Sequence, residues 1–390
     1  MDTMIENRKR HFVIRINKHD EPIRPVVFVA FLMVACMPIN SVSIGGFGIL
    51  LLLGAPLLAL CVPTLLNRIQ NTLWDKATLF LSAFFIYGLI AYIWSPSFSL
   101  YSLYNYIKNV MVVMCLYCLS YNQREKRLLI GGSLVACLMV CFSFLSGKNI
   151  GYEEGRATLE IFGVMQDQNY LGFLFIVPLA WCVDQIMHHK SWKVKVGCTA
   201  FSLVTLYCVL TTGSRGALVA LAAVVMVAVV KKFKTLWAKI LFCLVMSLLV
   251  VAMFSLILTL LPSEIVARYS WQLLWESRGT GRGDIWLKTI EEIFNSPHHI
   301  FLGFGTGSSI AIIGVATHNY ILQLLLELGL VGTCLFTGFY WFWLKRLWNS
   351  DTMCLSIILG CMALAMTLSV NTIFYFWVAL TLGIVCSKAR

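Results

Sequence analysis

The chain is 390 residues long, 59% hydrophobic and only 12% charged, against roughly 25% charged residues in an ordinary soluble domain. A membrane helix takes about 20 apolar residues, so the apolar content suffices for about eleven or twelve crossings. These proportions exclude a soluble globular enzyme, a disordered chain and a small disulfide scaffold. Long apolar runs without alternation argue against a transmembrane β-barrel.

Net charge is +12. The first 24 residues carry Arg8, Lys9, Arg10, Arg15, Lys18 and Arg24, mixed with acids, and an apolar run follows. A second run comes at once, so this segment reads as a cytoplasmic lead-in to a first membrane helix, not a cleaved signal and not a nucleic-acid-binding arm. The 14 cysteines sit almost entirely inside apolar runs, as Cys36, Cys61, Cys137, Cys141, Cys243 and Cys361 do. Cys115 and Cys118 form a CxxC in mid-helix without a second pair. The cysteines read as small hydrophobes in packing, not as disulfides or metal ligands.

In chain order, the apolar runs predict an all-α polytopic membrane protein with about twelve spans: 25–40, 44–66, 77–94, 109–121, 128–147, 169–187, 196–212, 216–231, 236–262, 318–343, 353–370 and 371–387. The whole chain, 1–390, reads as a single integral membrane domain. With the N-terminus in the cytoplasm, 22 of the 30 Lys and Arg residues fall on inside segments. Cytoplasmic loops are enriched in these residues, which supports twelve spans with both termini inside. Lys108, Lys148, Arg156, Arg215, Arg268, Arg278, Arg282 and Lys288 are left outside.

Two outside segments are long, 148–168 and 263–317, and connections of such length are usually functional or disordered. The larger loop contains Trp271, Trp275 and Trp286, and places Ile285, Trp286, Ile290, Ile293 and Phe294 on one helical face. It reads as two short amphipathic helices at the outer membrane–water boundary.

The positive-inside bias disfavours outside cations, so each asks for a reason. Arg215, in Thr-Thr-Gly-Ser-Arg-Gly (211–216), sits where two spans meet in a tight turn. It faces an aqueous cavity or an anion, or else snorkels to the interface. Arg278 and Arg282 lie in Ser-Arg-Gly-Thr-Gly-Arg-Gly-Asp (277–284), which opens a helix near Asp284. Backbone N–H groups at a helix start favour phosphate, although Asp284 as a cap weakens that site. The stretch is not a Walker A loop, because no Gly-Lys-Ser/Thr follows. Arg156 faces an anion or pairs with Glu153, Glu154 or Glu160. Gly303, Gly305 and Gly307 lack the strand before and helix after of a nucleotide fingerprint, so a flexible turn is expected. His318 begins the tenth span, as a proton relay, a hydroxyl-binding group or only a helix-start residue. Several arginines and a histidine facing outward under a lid-like loop imply a polyanion at the outer leaflet. A membrane-embedded diphosphate fits, since arginine grips phosphate oxygens bidentately.

These residues resemble the O-antigen ligase and Wzy-type polysaccharide polymerase superfamily. His318-Asn319, nine residues, Gly329, two residues and Gly332 resembles its histidine motif, and Thr-Gly-Ser-Arg-Gly (212–216) its arginine signature. Gly-Arg-Gly-Asp-Ile-Trp (281–286), Ser296-Pro297 and Leu302-Gly-Phe-Gly are similar to the stretch that opens and closes its large outer loop. Arg156 with Asp167-Gln168-Asn169 is similar to an upstream segment in which Gln168 is proline. The resemblance implies a glycosyltransferase of the cytoplasmic (inner) membrane, acting at its extracytoplasmic face. It implies an undecaprenyl-diphosphate-linked glycan donor and a sugar-hydroxyl acceptor, either a lipid-linked repeat or lipid A–core. It also implies that Arg215 and Arg282 bind the diphosphate and His318 positions or deprotonates the acceptor. Arg156, Asn169, Arg278, Asp284 and Asn319 would contact substrate. No Asp/Glu/His cluster has metal-ligand spacing, so no metal and no cofactor are expected.

Polymerase and ligase share these motifs, with a slight lean to polymerase because nothing marks a lipid A–core partner. The alternative is a lipid-linked oligosaccharide transporter or flippase. Transporters usually carry charge near the midplane, whereas here only Asp184 and Glu327 lie in or near apolar runs. A scaffold explains neither Arg215 nor the histidine spacing.

Overall fold

A computed structural model describes residues 22–40, 42–44, 47–70, 75–147, 150–153, 156–161, 164–233, 235–241, 244, 259, 265–266, 269 and 281–387. The expected span 236–262 lies mostly outside the described residues. The helices run back and forth between two ends of a bundle. They are α1 (Pro25–Ala35), α2 (Ile49–Gln70), α3 (Lys76–Ile90), α4 (Leu100–Cys118), α5 (Gln123–Ser146), α6 (Gln168–His188), α7 (Trp192–Thr211) and α8 (Arg215–Lys232). Within the large loop come α9 (Arg282–Asn295), α10 (Pro297–Leu302) and α11 (Ser309–Ile313), and beyond it α12 (Tyr320–Trp348), α13 (Thr352–Ala365) and α14 (Phe374–Val385). Six of the described helices are long and apolar enough to cross a membrane, and α1, α13 and α14 are shorter apolar helices. The chain is therefore an all-α, multi-pass membrane protein in class.

Local sequence sets where several helices begin. Asp75 caps α3 by accepting the Thr78 N–H at 2.8 Å, and Ser99 caps α4. Asn122 and Glu125 form a reciprocal capping box at α5, so two otherwise unpaired backbone donors are satisfied at once. Asp167, Ser214, Asn319 and Asp351 cap α6, α8, α12 and α13 by accepting backbone N–H groups with their side chains.

Small residues let three helices approach closely. A Cβ on Gly172 of α6 would sit 2.9 Å from Ala217 Cβ of α8, and one on Gly360 of α13 would sit 2.7 Å from Val224 Cγ2 of α8. Close backbone approach is what drives helix association where lipid removes the hydrophobic advantage. On the other side, Phe84, Tyr320, Phe336, Phe376 and Trp377 interlock edge to face around α3, α12 and α14.

Three expectations need correction. Segment 148–168 contains a sheet in place of a plain loop: β3 (Ile150–Glu153), β4 (Arg156–Ile161) and β5 (Val164–Gln166) form an antiparallel meander. On β4, Thr158, Leu159 and Ile161 are buried and Glu160 is half-buried. Helix α4 begins at Leu100, nine residues before the expected 109. Lys108, assigned to an outside loop, therefore lies on a helix. In the described part of 263–317 there are three helices, not two, of which α9 is the amphipathic one with Thr289 and Ile293 buried. A short hairpin, β1 (Ser43–Ile44) with β2 (Phe47–Gly48), closes the α1–α2 connection.

Candidate functional site

His318 lies in the connection between α11 and α12. Its φ of 48° makes it the one non-glycine with positive φ among the described residues. That conformation is sparsely populated for a residue with a Cβ and persists only when its surroundings hold it. The grip comes from the α13–α14 turn. The His318 N–H donates to Ser369 Oγ at 3.0 Å, and Thr317 Oγ1 meets the same oxygen at 2.9 Å. Tyr170 of α6 donates its hydroxyl to the Ser369 carbonyl at 3.1 Å.

Arg215 opens α8 directly after Ser214, whose hydroxyl accepts the Ala217 N–H. Gly213 supplies the left-handed turn between α7 and α8, at φ 64°. A Cβ on Gly216 would lie 2.2 Å from Thr367 Oγ1. The first turn of α8 thus rests on the same α13–α14 turn that holds His318.

Arg282 is the first residue of α9, and Gly281 at φ 78° occupies the cap position without a side-chain bond. One turn further on, Trp286 Nε1 donates to the Thr317 carbonyl at 3.1 Å. Lys288 Nζ donates to the Ile313 carbonyl at 2.9 Å. Helix α9 is therefore fastened to the segment that ends in His318. The structure brings the segments bearing Arg215, Arg282 and His318 to one end of the bundle.

The other expected residues divide. Asp284 is exposed in the first turn of α9 and is not its cap, because Gly281 takes that position. Arg156 opens β4 opposite Glu153 in the backbone register. Asn169 stands in the first turn of α6, its N–H donated to Asp167 Oδ1 at 2.8 Å. Asn319 Oδ1 accepts the N–H groups of Ile321 and Leu322 and so fixes the start of α12. Arg278 lies outside the described residues.

The glycine turn 303–307 is built, not loose. Trp94 Nε1 donates to the Gly303 carbonyl at 3.2 Å, Ser95 Oγ to the Thr306 carbonyl at 2.8 Å, and Thr306 Oγ1 to the Gly88 carbonyl at 2.6 Å. A Cβ on Gly305, at φ 99°, would fall 2.5 Å from Ser95 Cα. Gly329 of α12 packs closely against Phe301 and Gly303 at the start of this turn. Its φ of 61° breaks the helix locally, and a Cβ there would lie 2.4 Å from the Phe301 carbonyl oxygen.

Two features were missed in sequence reasoning. Asn319, Gln323 and Glu327 form a polar ladder at i, i+4, i+8 on α12. Glu327 is buried, and its carboxylate accepts from Ser309 Oγ at 2.5 Å, Gln323 Nε2 at 3.0 Å and Asn371 Nδ2 at 3.3 Å. A buried carboxylate needs such donors, and here they tie α11 and the α13–α14 turn to α12. The four-residue spacing of polar groups in an apolar helix was the available signal. The second feature is a cavity of about 620 Å³ at the same end, walled by α4, the start of α6, the 306–307 turn and residues 372–375. Arg215, Arg282 and His318 do not line it. Among the described residues no group of three or more His, Cys, Asp and Glu side chains is placed to hold a metal ion.

Residues 200–337 match the sequence model of the Wzy_C family, described as O-antigen ligase. The matched stretch holds the α7–α8 turn with Arg215, helix α9 with Arg282, His318, and α12 through Gly332. The fold is that of a multi-pass membrane protein, and this stretch of it is similar to the O-antigen ligase family. The chain resembles the O-antigen ligase and Wzy-type polymerase superfamily over this stretch. No curated protein matches the chain.

Proposed function

We propose that this protein transfers a glycan from undecaprenyl diphosphate to a sugar hydroxyl at the extracytoplasmic face of the cytoplasmic membrane. The observation that carries the reading is that the Arg215 and His318 segments meet on the α13–α14 turn while the Arg282 helix bonds to Thr317 beside His318, all three segments lying in the family-matched stretch. In the reaction the bond between the anomeric carbon and the diphosphate oxygen breaks, and the acceptor oxygen bonds to that carbon. The departing diphosphate gains negative charge. Arg215 and Arg282 stabilise it as fixed cations needing no reorganisation, with the forked geometry guanidinium offers phosphate. His318 accepts the proton of the acceptor hydroxyl or orients that hydroxyl by a hydrogen bond. Arg156, Arg278 and Asn169 supply further contacts to the donor. Asn319 serves by fixing the residue before it, and Asp284 by favourable placement in the first turn of α9.

No metal is needed, because the arginines supply the charge that a divalent ion would. The basic residues at the opposite end, among them Arg124, Arg127, Lys190, Lys193 and Lys195, support a reading in which that end and both termini are cytoplasmic and the chain crosses twelve times. The acceptor is another lipid-linked repeat, which makes the enzyme a polymerase; a ligase acting on lipid A–core differs only in acceptor. The test is purified protein in nanodiscs with a lipid-diphosphate-linked oligosaccharide, scored for products. Longer lipid-linked chains identify a polymerase, and transfer only when lipid A–core is added identifies a ligase. Glycan that crosses the bilayer with its diphosphate bond intact refutes the enzyme and favours a transporter.

A further inference from the structure

We infer that the 620 Å³ cavity beside the site is the subsite for the sugar rings of the acceptor glycan, read by Tyr101, Asn105 and Lys108 of α4; the assignment to the acceptor rests on the proposed transferase reading. Its volume falls within the roughly 300–1,000 Å³ of small-molecule pockets. Its wall suits carbohydrate. Tyr101, Ser102, Asn105, Lys108 and Asn109 recur on one face of α4 at the spacing of successive turns. They offer an aromatic ring, a hydroxyl, amides and an ammonium. Sugars need this mixture, with flat apolar ring faces for aromatics and many hydroxyls for forked amides and charged donors.

The ridge is prepared without being used up. Lys108 Nζ donates to Asn105 Oδ1 at 2.8 Å and stands 5.3 Å from the Tyr104 ring centre. An ammonium has three donors, so this bond leaves it able to meet a sugar oxygen. Tyr101 is 76% exposed, a side chain the core does not require. Asn109, by contrast, is buried and donates to the Thr372 carbonyl at 2.8 Å, so it fixes the opposite wall. That wall is held further by Tyr375, whose hydroxyl donates to Gln166 Oε1 at 3.0 Å, and by Asn371, whose N–H donates to Gln323 Oε1 at 3.2 Å.

The acceptor, not the donor diphosphate, is assigned here because of what borders the cavity. Tyr170 lines it and also bonds the Ser369 carbonyl, and Ser369 holds His318. Neither Arg215 nor Arg282 lines it. A glycan lying in the cavity is thus separated by two bonded residues, Tyr170 and Ser369, from the histidine proposed to act on its hydroxyl.

The experiment is direct binding by the full-length protein in nanodiscs, followed by saturation-transfer NMR. The probes are the repeat-unit oligosaccharide released by mild acid from the lipid-linked donor of the producing cells and, in a separate arm, core oligosaccharide. The wild type is expected to bind one of the two, which also tells polymerase from ligase. Tyr101→Ala with Asn105→Ala, and separately Lys108→Ala, are expected to weaken that binding at least tenfold and to raise the acceptor KM while donor KM stays put. Arg215→Ala is expected to leave oligosaccharide binding intact. No binding of either probe by wild type, or equal binding by the α4 variants, overturns the subsite. Failure of the transferase reading looks different: no glycosidic product from any variant, whatever the oligosaccharide binding shows.

Discussion

The two ends of the bundle are ordered by different chemistry. At the Arg24 end, cations are themselves the fasteners. Arg24 Nε and Nη2 each donate to the buried Glu125 carboxylate at 2.8 Å, and Nη2 also reaches the Ser120 carbonyl. Lys126 ties α5 to the Ser387 carbonyl beyond α14. Lys231 reaches the Trp348 carbonyl and lies 4.1 Å from that indole's centre. At the His318 end most of the fastening is done by hydroxyls, amides and backbone, from Ser369, Thr317, Tyr170, Trp286, Gln323 and Asn371, with Lys288 and the buried Glu327 as the charged members. These bonds place the segments carrying Arg215, Arg282 and His318. One end uses its arginine and lysines to hold helices together, and the other holds the segments bearing Arg215, Arg282 and His318 mostly through neutral bonds.

The contrast can be broken most forcefully at Arg282. Arg282→Ala should lower transfer on the order of a hundredfold, the cost of about 3 kcal/mol for a charged donor lost at the transition state. Arg282→Lys should recover only part, since it keeps charge and loses the fork. Initial rates in nanodiscs decide it, and unchanged rates for Arg282→Ala would remove this residue from the account.

A smaller effect is expected one step back. Ser369→Ala removes the acceptor of the His318 N–H and the partner of Thr317, a loss of about 1 kcal/mol per neutral hydrogen bond. Transfer should fall about tenfold through a lower kcat, with donor affinity kept. A rise in donor Kd with no change in kcat would put Ser369 on the wrong side of the reaction.

At the other end the sign reverses. Arg24→Ala leaves the Glu125 carboxylate without its charged partner, at a cost of about 1.5–3 kcal/mol for bonds to a charged group. Arg24 is partly exposed, with 42% of its side chain accessible, so solvent screening keeps the cost near the low end. Thermal melting in detergent should shift down while turnover per folded molecule holds. A turnover loss matching that of Arg282→Ala would erase the distinction between the ends. The smallest effect expected is none: excess chelator should leave the rate unchanged. Activity lost to chelator and restored by a divalent cation would contradict the arginine-only mechanism.

Much of this was legible in the sequence, for identifiable reasons. Caps such as Asp75, Asn122 and Asp351 act within three residues, so they can be read locally. The Gly329 and Gly332 spacing was readable as a motif, but its cause was not. Gly329 is required because the Phe301 carbonyl, 28 positions away, comes within 2.4 Å of where a Cβ would be. The start of α4 was hidden because Tyr101, Asn105 and Lys108 make its cavity-facing side polar, and polarity reads as loop in an apolar chain. The meander at 150–166 has strands of only four, six and three residues, too short for alternation to stand out. Ser369 had no signal at all, since its role exists only where the α13–α14 turn meets His318.

The central claim is that the His318 end performs transfer with divided roles. The most direct measurement compares donor binding and product formation for Arg215→Ala and His318→Ala proteins in nanodiscs, with undecaprenyl-diphosphate-linked oligosaccharide. The account predicts that Arg215→Ala weakens donor binding and slows transfer together, on the order of a hundredfold. His318→Ala should bind donor as wild type does yet form no product, and His318→Gln should keep part of the activity only if the role is hydrogen bonding without proton transfer. Near-normal product formation by both alanine variants would contradict the account.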